Sequence, residues 1–492
     1  MIYNSFEFLV CFPLIFLLYY LIPARFQKCR NIFLLFVSYL LYLNWKPVYA
    51  LVLFGVTLVT YWGGQFLSFK LNNSSLKEEN LNSLQGAQES KNSSRQRLVW
   101  LFALLGLLTL LVFKYYNFIN ENVFDLLSVV GLRFQLPGLN WAVPMGISFF
   151  TFQALGYLFD VYYKKISAEK DFLTYALFVS FFPSIVSGPI NKASLIIPQL
   201  KNLRPYFNYA KAVQGLRMIL WGMFMKVVVA DRMGLYVDTV LPNYMNYTGV
   251  TCFAASIFYT IQIYTDFAGY SLMAIGVGKT LGCELTENFR RPYFAVSVTD
   301  FWHRWHISLS TWLKDYVYIP MGGSRCSKLR NYWNIFVTFL VSGIWHGANW
   351  TFIVWGIWHG LFQIIEKMLG QQKCDYGWCG KSAKIIITFL LVNFAWIFFR
   401  MPTLSDACGV IGRIFDFSLP MTFFSDSMTT MFFIIFGITV LTVKDVMDEF
   451  FPAQTNRLKN IEILRCGVYV FIMSSILLTG VFGADQFIYA NF

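Results

Sequence analysis

The sequence predicts an all-α protein that crosses a membrane many times. Three observations carry this. Of the 492 residues, 57% are hydrophobic and 13% charged, where a soluble domain carries about 25% charged residues. Apolar runs of about 20 residues recur along the chain, each long enough to cross a bilayer core of about 30 Å. The runs are continuous, whereas the strands of a membrane barrel alternate polar and apolar residues.

Taken in order, the predicted spans are 6–22, 31–45, 48–69, 98–118, 141–163, 214–230, 251–278, 332–346, 350–368, 384–399, 429–443 and 464–482. The N-terminus lacks a cationic region and a small-residue cleavage site, so 6–22 reads as a retained span. Arg25, Lys28 and Arg30 make the first loop basic and place it in the cytoplasm. Lys70, Lys77, Lys91, Arg95 and Arg97 do the same for 70–97 two spans later. That stretch is also rich in Asn, Ser, Gln and Glu, and reads as a flexible cytoplasmic loop. The net charge of +13 is thus a matter of topology, and no nucleic-acid partner is expected. The nine cysteines form no CxxC pair. Cys374 and Cys379 are closest, without a second pair to complete a metal site. No repeat of 20 to 50 residues is visible, so 1–492 reads as one integral membrane domain.

Two elements break the regular pattern. The apolar segment 172–190 has basic loops on both sides and is interrupted by Pro183 and by Gly188-Pro189. A re-entrant segment, leaving on the side where it came in, satisfies both facts. Further on, Asp266 sits inside the apolar helix 258–278. A carboxylate at that depth is costly, and it is read either as a functional group or as a buried partner pinning a helix. Both readings require a paired, inward-facing side chain.

The core segment is 258–360. All four histidines, His303, His306, His346 and His359, lie between 303 and 359, and histidine is the side chain best suited to move protons near neutral pH. Wound as one helix, 299–318 puts Asp300, His303, Arg304 and Lys314 on one face, with Trp302, Trp305, Leu309 and Trp312 opposite. His306 falls toward the apolar side, so it is expected buried and His303 wetter. The next span breaks at His346-Gly347-Ala348-Asn349, between Trp345 and Trp350. Starting at 332, it rises only about 22 Å by that point, which leaves His346 short of the outer surface, facing a passage by which small reactants arrive. His359 reads as a packing residue.

FWHRWHISLSTWLKDYVYIPMGG and SGIWHGANWTFIVWGIWHG resemble two signature blocks of the membrane-bound O-acyltransferase family, in its bacterial polysaccharide O-acetylase branch. The first is similar to FW-x-RWH-x-S-x-S-x-W-x-RDY-x-YIP-x-GG, the second to a block containing WHG. The resemblance implies a ring of about 11–12 transmembrane helices plus a re-entrant segment around a thin central passage. It implies His346 and His306 as the catalytic residues, supported by Asn349, Asp266, Trp345, Trp305 and Ser310. Two positions depart from the pattern: His303 stands where arginine is usual, and Leu272 where alginate acetylases carry an acidic residue. The latter looks more like relatives that export D-alanine to teichoic acid.

The implied reaction moves an acyl group, acetyl first among candidates, from a cytoplasmic thioester such as acetyl-CoA to a hydroxyl of an extracytoplasmic polysaccharide. The final transfer is made either here or by a periplasmic or extracellular acyltransferase partner. His346 would take the hydroxyl proton, and Asn349 or a backbone N–H at the break would steady the oxyanion. No permanently bound cofactor and no metal are expected. The place implied is a bacterial cytoplasmic membrane. Two other classes stay open: a polysaccharide-precursor transporter with Asp266 and the histidines as a proton relay, and a non-catalytic scaffold of an envelope complex.

Overall fold

Every described element of the computed structural model is helical or an irregular connection, across 3, 5–43, 46–78, 85–132, 136–202, 207–370, 377–418, 423 and 427–482, with the side chains of 70–93 outside the description. Cys374 lies outside these residues. The contacts divide the chain into two compact units.

The first unit comprises Glu7–Gln214 with Val277–Thr286. It holds α1 (Phe6–Leu21), α2 (Gln27–Leu43), α3 (Pro47–Glu78), α4 (Gln85–Leu110), α5 (Tyr116–Val129), α6 (Ile147–Tyr162), α7 (Phe172–Ser180), α8 (Phe182–Ile185), α9 (Ala193–Lys201) and the start of α10 (Tyr209–Met223). Its centre is α3, α4 and α6 packed on one another, with α6 buried along almost its whole length. The second unit comprises Ile2–Phe6, Gly215–Gly276 and Glu287–Phe492. It holds α11 (Asp231–Val240), most of α12 (Gly249–Thr280), α13 (Val298–Arg304), α14 (Ile307–Leu313), α15 (Lys328–His346), α16 (Trp350–Met368), α17 (Trp378–Arg400), α18 (Leu404–Ile414), α19 (Met428–Phe450), α20 (Pro452–Asn460) and α21 (Glu462–Thr479).

Among the described residues, six helical stretches are long and apolar enough to cross a membrane: Pro47–Phe69, Ser94–Val129, Tyr209–Asn246, Trp378–Arg400, Met428–Phe450 and Glu462–Thr479. The chain is therefore an all-α, multi-pass membrane protein, with fewer such helices than the twelve stretches read from hydropathy. The reasons differ by element. α1 and α2 qualify only as a pair, bent by 104°. The stretch 141–163 becomes helical only at Ile147. α12, α15 and α16 have the length, but polar residues lower their apolarity: Asp266 in α12, Asn334, Ser342 and His346 in α15, and His359, Glu366 and Lys367 in α16.

The stretch 70–97, expected to be a flexible loop, is largely helix. α3 runs on to Glu78 and α4 starts at Gln85. Alongside its Asn and Ser it carries Leu, Lys, Glu, Gln and Ala, all good helix formers.

The segment read as re-entrant forms two short helices. Asp171 caps α7 by accepting from the Thr174 N–H at 3.3 Å, and α7 and α8 part at Phe181. Residues 172–185 make an apolar helical stretch of 14 residues, about 21 Å at 1.5 Å per residue. Glu169, before α7, pairs with Lys201, at the end of α9, at 2.6 Å. The two flanks of the segment therefore meet.

Candidate functional site

The second unit gathers all four histidines, and backbone geometry does the gathering. The expected helix over 299–318 is broken. α13 ends at Arg304, and Trp305 is extended. His306 lies in the left-handed region, at φ 43° and ψ 53°. The cause is a neighbouring strand-like stretch. The Arg290 N–H donates to the Arg304 carbonyl at 2.9 Å, and the Ile307 N–H to the Asn288 carbonyl at 2.9 Å. These two bonds hold the kinked backbone between them. Histidine is among the few L residues that enter this region with some regularity.

His306 is fully buried, as expected, although the continuous helix used to place it does not exist. Its ring meets Phe267 edge-on at 4.7 Å between centroids and Trp345 at 5.9 Å. Nδ1 lies 3.0 Å from Oδ1 of Asn288. That oxygen also accepts from the Ser308 N–H at 3.3 Å and the Ser308 hydroxyl at 2.9 Å. Asn288 Nδ2 donates to Ser271 Oγ at 2.9 Å. Asn288 is itself buried and thereby ties α12, the kink and α14 together.

His346 closes α15, and Gly347 leaves the helix in an extended conformation. The break thus falls where the sequence placed it. His346 is 2% exposed. Its ring sits edge-on to Trp345 at 4.9 Å, Trp355 at 4.8 Å and Phe399 at 5.2 Å. Trp345 therefore stands between the two signature histidines. The hairpin of α15 and α16 is unusually tight. A Cβ on Gly343 would lie 2.4 Å from the Phe352 carbonyl oxygen, and one on Gly356 would lie 2.5 Å from that of Phe339. Only glycine fits at either place.

The other expected site residues separate into distinct roles. Trp305 is fully buried between Phe289, Phe301 and Trp396. His359 is buried, and its Nδ1 accepts from Trp302 Nε1 at 3.3 Å, which agrees with a packing role. Asn349 is tied into the helix break from both ends of its amide. Its Oδ1 caps α16 by accepting from the Thr351 N–H at 3.1 Å, and its Nδ2 donates to the Pro402 carbonyl at 2.7 Å, so both ends of the amide are engaged. Asp266 is paired and inward, as both readings required. Its carboxylate lies 2.6 Å from Nζ of Lys226, which also meets Asp231 at 2.7 Å. Lys226 sits in a widened turn, Phe224–Ala230, between α10 and α11.

A cavity of about 370 Å³ opens beside this cluster. Thr299, His303, Lys314, Thr338, Ser342 and Lys367 are among its lining residues. His303 is exposed and Ser310 half-buried. Neither His306 nor His346 lines it. The cavity stops at their neighbours, Ile307 beside His306 and Ser342 one helical turn before His346. The wall at α13 is held by Glu366, whose carboxylate accepts from the Val298 N–H at 2.5 Å, the Thr299 N–H at 3.0 Å and the Thr299 hydroxyl at 3.0 Å. Further out, Arg304 and Arg291 grip Glu449 at 2.8 and 2.6 Å.

Residues 94–405 match the family model of the membrane-bound O-acyltransferases. The chain belongs to that family. It is an O-acyltransferase, as the family and its relatives indicate. The chain is 36% identical over 419 residues to a probable alginate O-acetylase of Pseudomonas aeruginosa, covering 85% of this chain and 75% of that one. It is 32% identical over 441 residues to the peptidoglycan O-acetyltransferase of Helicobacter pylori, covering 84% and 79%. With the teichoic acid D-alanyltransferase of Bacillus subtilis it shares 26% over 276 residues, covering 54% and 70%.

Sequence reasoning on this O-acyltransferase missed Asn288, Lys226, Glu366 and Lys367. None stands in a motif. Lys226 had a signal, as a cation inside the predicted span 214–230 that needs a counter-charge. Asn288 had none, because its partners come from 17 to 20 residues away.

Proposed function

We propose that this O-acyltransferase moves an acetyl group from a cytoplasmic thioester, such as acetyl-CoA, to a hydroxyl on an extracytoplasmic polysaccharide, with a periplasmic or extracellular acyltransferase completing the modification. One observation carries the reading. The two signature histidines meet across Trp345 in a buried aromatic cluster, one at a helix break and the other at a backbone kink. Relatives named for acetylating alginate and peptidoglycan support an acetyl group and a carbohydrate polymer. The lower identity and coverage with a teichoic acid D-alanyltransferase put alanyl export second.

His346 takes the proton of the acceptor hydroxyl as the oxygen attacks the thioester carbonyl. The tetrahedral intermediate collapses, the C–S bond breaks, and the thiolate leaves and is reprotonated from the imidazolium. Base catalysis of this kind is worth about 10²–10⁴-fold. His306, held by Asn288, fixes the opposite wall. The oxyanion donor is either the second N–H of Asn349 Nδ2, beyond the one on the Pro402 carbonyl, or a backbone N–H near Gly347.

The test uses the full chain in its native membrane. His346→Ala is compared with wild type for acetyl content of the envelope polysaccharide and for membrane abundance. The expected result is lost acetylation at unchanged abundance. Undiminished acetylation would overturn the reading of His346.

A further inference from the structure

The kink at His306 is an irregular two-bond ladder. The Arg290 N–H donates to the Arg304 carbonyl, and the Ile307 N–H to the Asn288 carbonyl. On one side a single residue, Phe289, lies between these bonds. On the other side two residues, Trp305 and His306, lie between them. The extra residue bends the chain as a β-bulge does and re-aims the side chains beside it. The bend strains the backbone. Arg291 and His306, both at φ 43°, are two of the three described residues other than glycine with positive φ. Residues in this region stay there only where their surroundings hold them.

The ladder's own residues close its inner end, because the Asn288 side chain binds both His306 and Ser308. The outer end is closed by one group from far along the chain. Glu449, one residue before the end of α19, accepts from Arg291 Nε at 2.6 Å on Oε2 and from Arg304 Nη1 at 2.8 Å on Oε1. The two arginines stand on opposite sides of the ladder. Arg291 follows the residue that donates the outer bond, and Arg304 accepts that bond. The three side chains are 14% to 27% exposed, and hydrogen bonds between ionised groups are the strong ones. Asp300 also holds Arg304, through Nε at 2.9 Å. It lies four residues earlier on the same helix, so it ties Arg304 to α13 and not to the other side of the ladder. Without Glu449 the two guanidinium groups are like charges facing each other across paired backbone, which drives the two sides apart.

We infer that Glu449 is a positioning residue of the acyl transfer. By holding Arg291 and Arg304 together it keeps 288–290 and 304–307 in register, and so keeps Nδ1 of His306 on Asn288. It does not touch the reacting atoms. This rests on the proposed part of His306 in the reaction.

The experiment reads His306 itself. The chain has four histidines, so nitrogen NMR of the full chain in detergent, labelled with ¹⁵N-histidine, resolves few ring signals, and His306→Asn assigns those of His306. Wild type is expected to show Nδ1 protonated and Nε2 unprotonated at His306. In Glu449→Ala that signature gives way to a mixture of tautomers. Its kcat for acyl transfer falls by about tenfold to 10²-fold, with KM for the thioester changed by less than about threefold. Glu449→Asp keeps a negative charge between the arginines and should recover part of both. Asp448→Ala is the control for a merely structural loss. The Asp448 carboxylate binds Lys444 and Lys459 at 3.1 and 3.3 Å at the same helix end, so this variant should melt lower and leave the His306 signature as in wild type. If Glu449→Ala fails to accumulate, Glu449→Gln replaces it, keeping the length and losing the charge. An unchanged His306 signature overturns the inference, and so does an equal change in Asp448→Ala. A lost signature with undiminished acyl transfer upholds the clamp and overturns instead the proposed part of His306 in the reaction.

Discussion

Nδ1 of His306 lies 3.0 Å from Oδ1 of Asn288, and that contact fixes which ring nitrogen carries the proton. The Asn288 oxygen is an acceptor, because the backbone N–H of Ser308 also points at it. Nδ1 of His306 must therefore donate, which leaves Nε2 as the basic nitrogen. Asn288→Ala takes the acceptor away from three buried donors, at about 1–3 kcal/mol for each group left unsatisfied. A lower melting temperature and a fall in turnover of about 10²-fold are expected. Asn288→Asp keeps the acceptor and should retain more turnover than alanine. Wild-type turnover in Asn288→Ala would show that the tautomer does not matter.

The backbone at 306 decides which replacement is conservative. On side-chain chemistry, glutamine retains one donor and one acceptor, but at φ 43° asparagine is the better tolerated residue. His306→Asn should therefore melt higher than His306→Gln or His306→Ala, by about 1 kcal/mol of backbone strain. At position 346, which ends an ordinary helix, no such order is expected, and glutamine should rescue no acyl transfer because an amide does not accept the proton. Equal melting of the three variants at 306 would remove the strain argument.

Lys226 is the shared cation of two buried carboxylates. Removing one partner of a buried pair costs about 3–5 kcal/mol. Lys226→Met leaves two acids without their cation and should abolish accumulation in the membrane. Asp266→Asn leaves Lys226 still paired with Asp231 and should be milder. Combining Lys226→Met with Asp266→Asn should recover part of the loss. The readout is membrane abundance with detergent melting, and additive losses in the double variant would argue against a coupled cluster.

The closeness of α15 and α16 is a steric requirement. Gly343→Ala sets a methyl group 2.4 Å from the Phe352 carbonyl oxygen, and backbone has no rotamer by which to yield. A cost of about 1–3 kcal/mol is expected, with reduced acyl transfer because His346 lies one turn further along the same helix. Unchanged melting would mean that the helices separate freely.

The pairing of Glu169 with Lys201 makes the flanks of 172–190 neighbours. Single cysteines at Lys170 and Lys201, in a chain stripped of its nine cysteines, should respond alike to an impermeant thiol reagent added from outside. Labelling at one position and not the other would make the segment a full span.

The sequence by itself determined the helical, membrane-spanning class, because apolar run length is a local property that each stretch displays unaided. It also determined the family, the break after His346 and the need for a partner at Asp266, since each follows from residue type and near neighbours. It did not determine the kink at His306. Helical periodicity assumes the backbone it is used to read, and here two bonds from 288–290 override it. It did not show the helical parts of 70–97, because a polar composition hides the helix propensity of its residues. Only the tertiary structure decided that Asn349 reaches the Pro402 carbonyl, that Asn288 orients His306 and that Lys226 answers Asp266. It also decided that lysines from α16 and from the turn after α14 share one cavity. Each of these depends on groups between 17 and 53 residues apart in the chain. Hydrogen bonds and ion pairs act over about 3 Å in space, so which distant groups come within that reach is settled only when the helices pack.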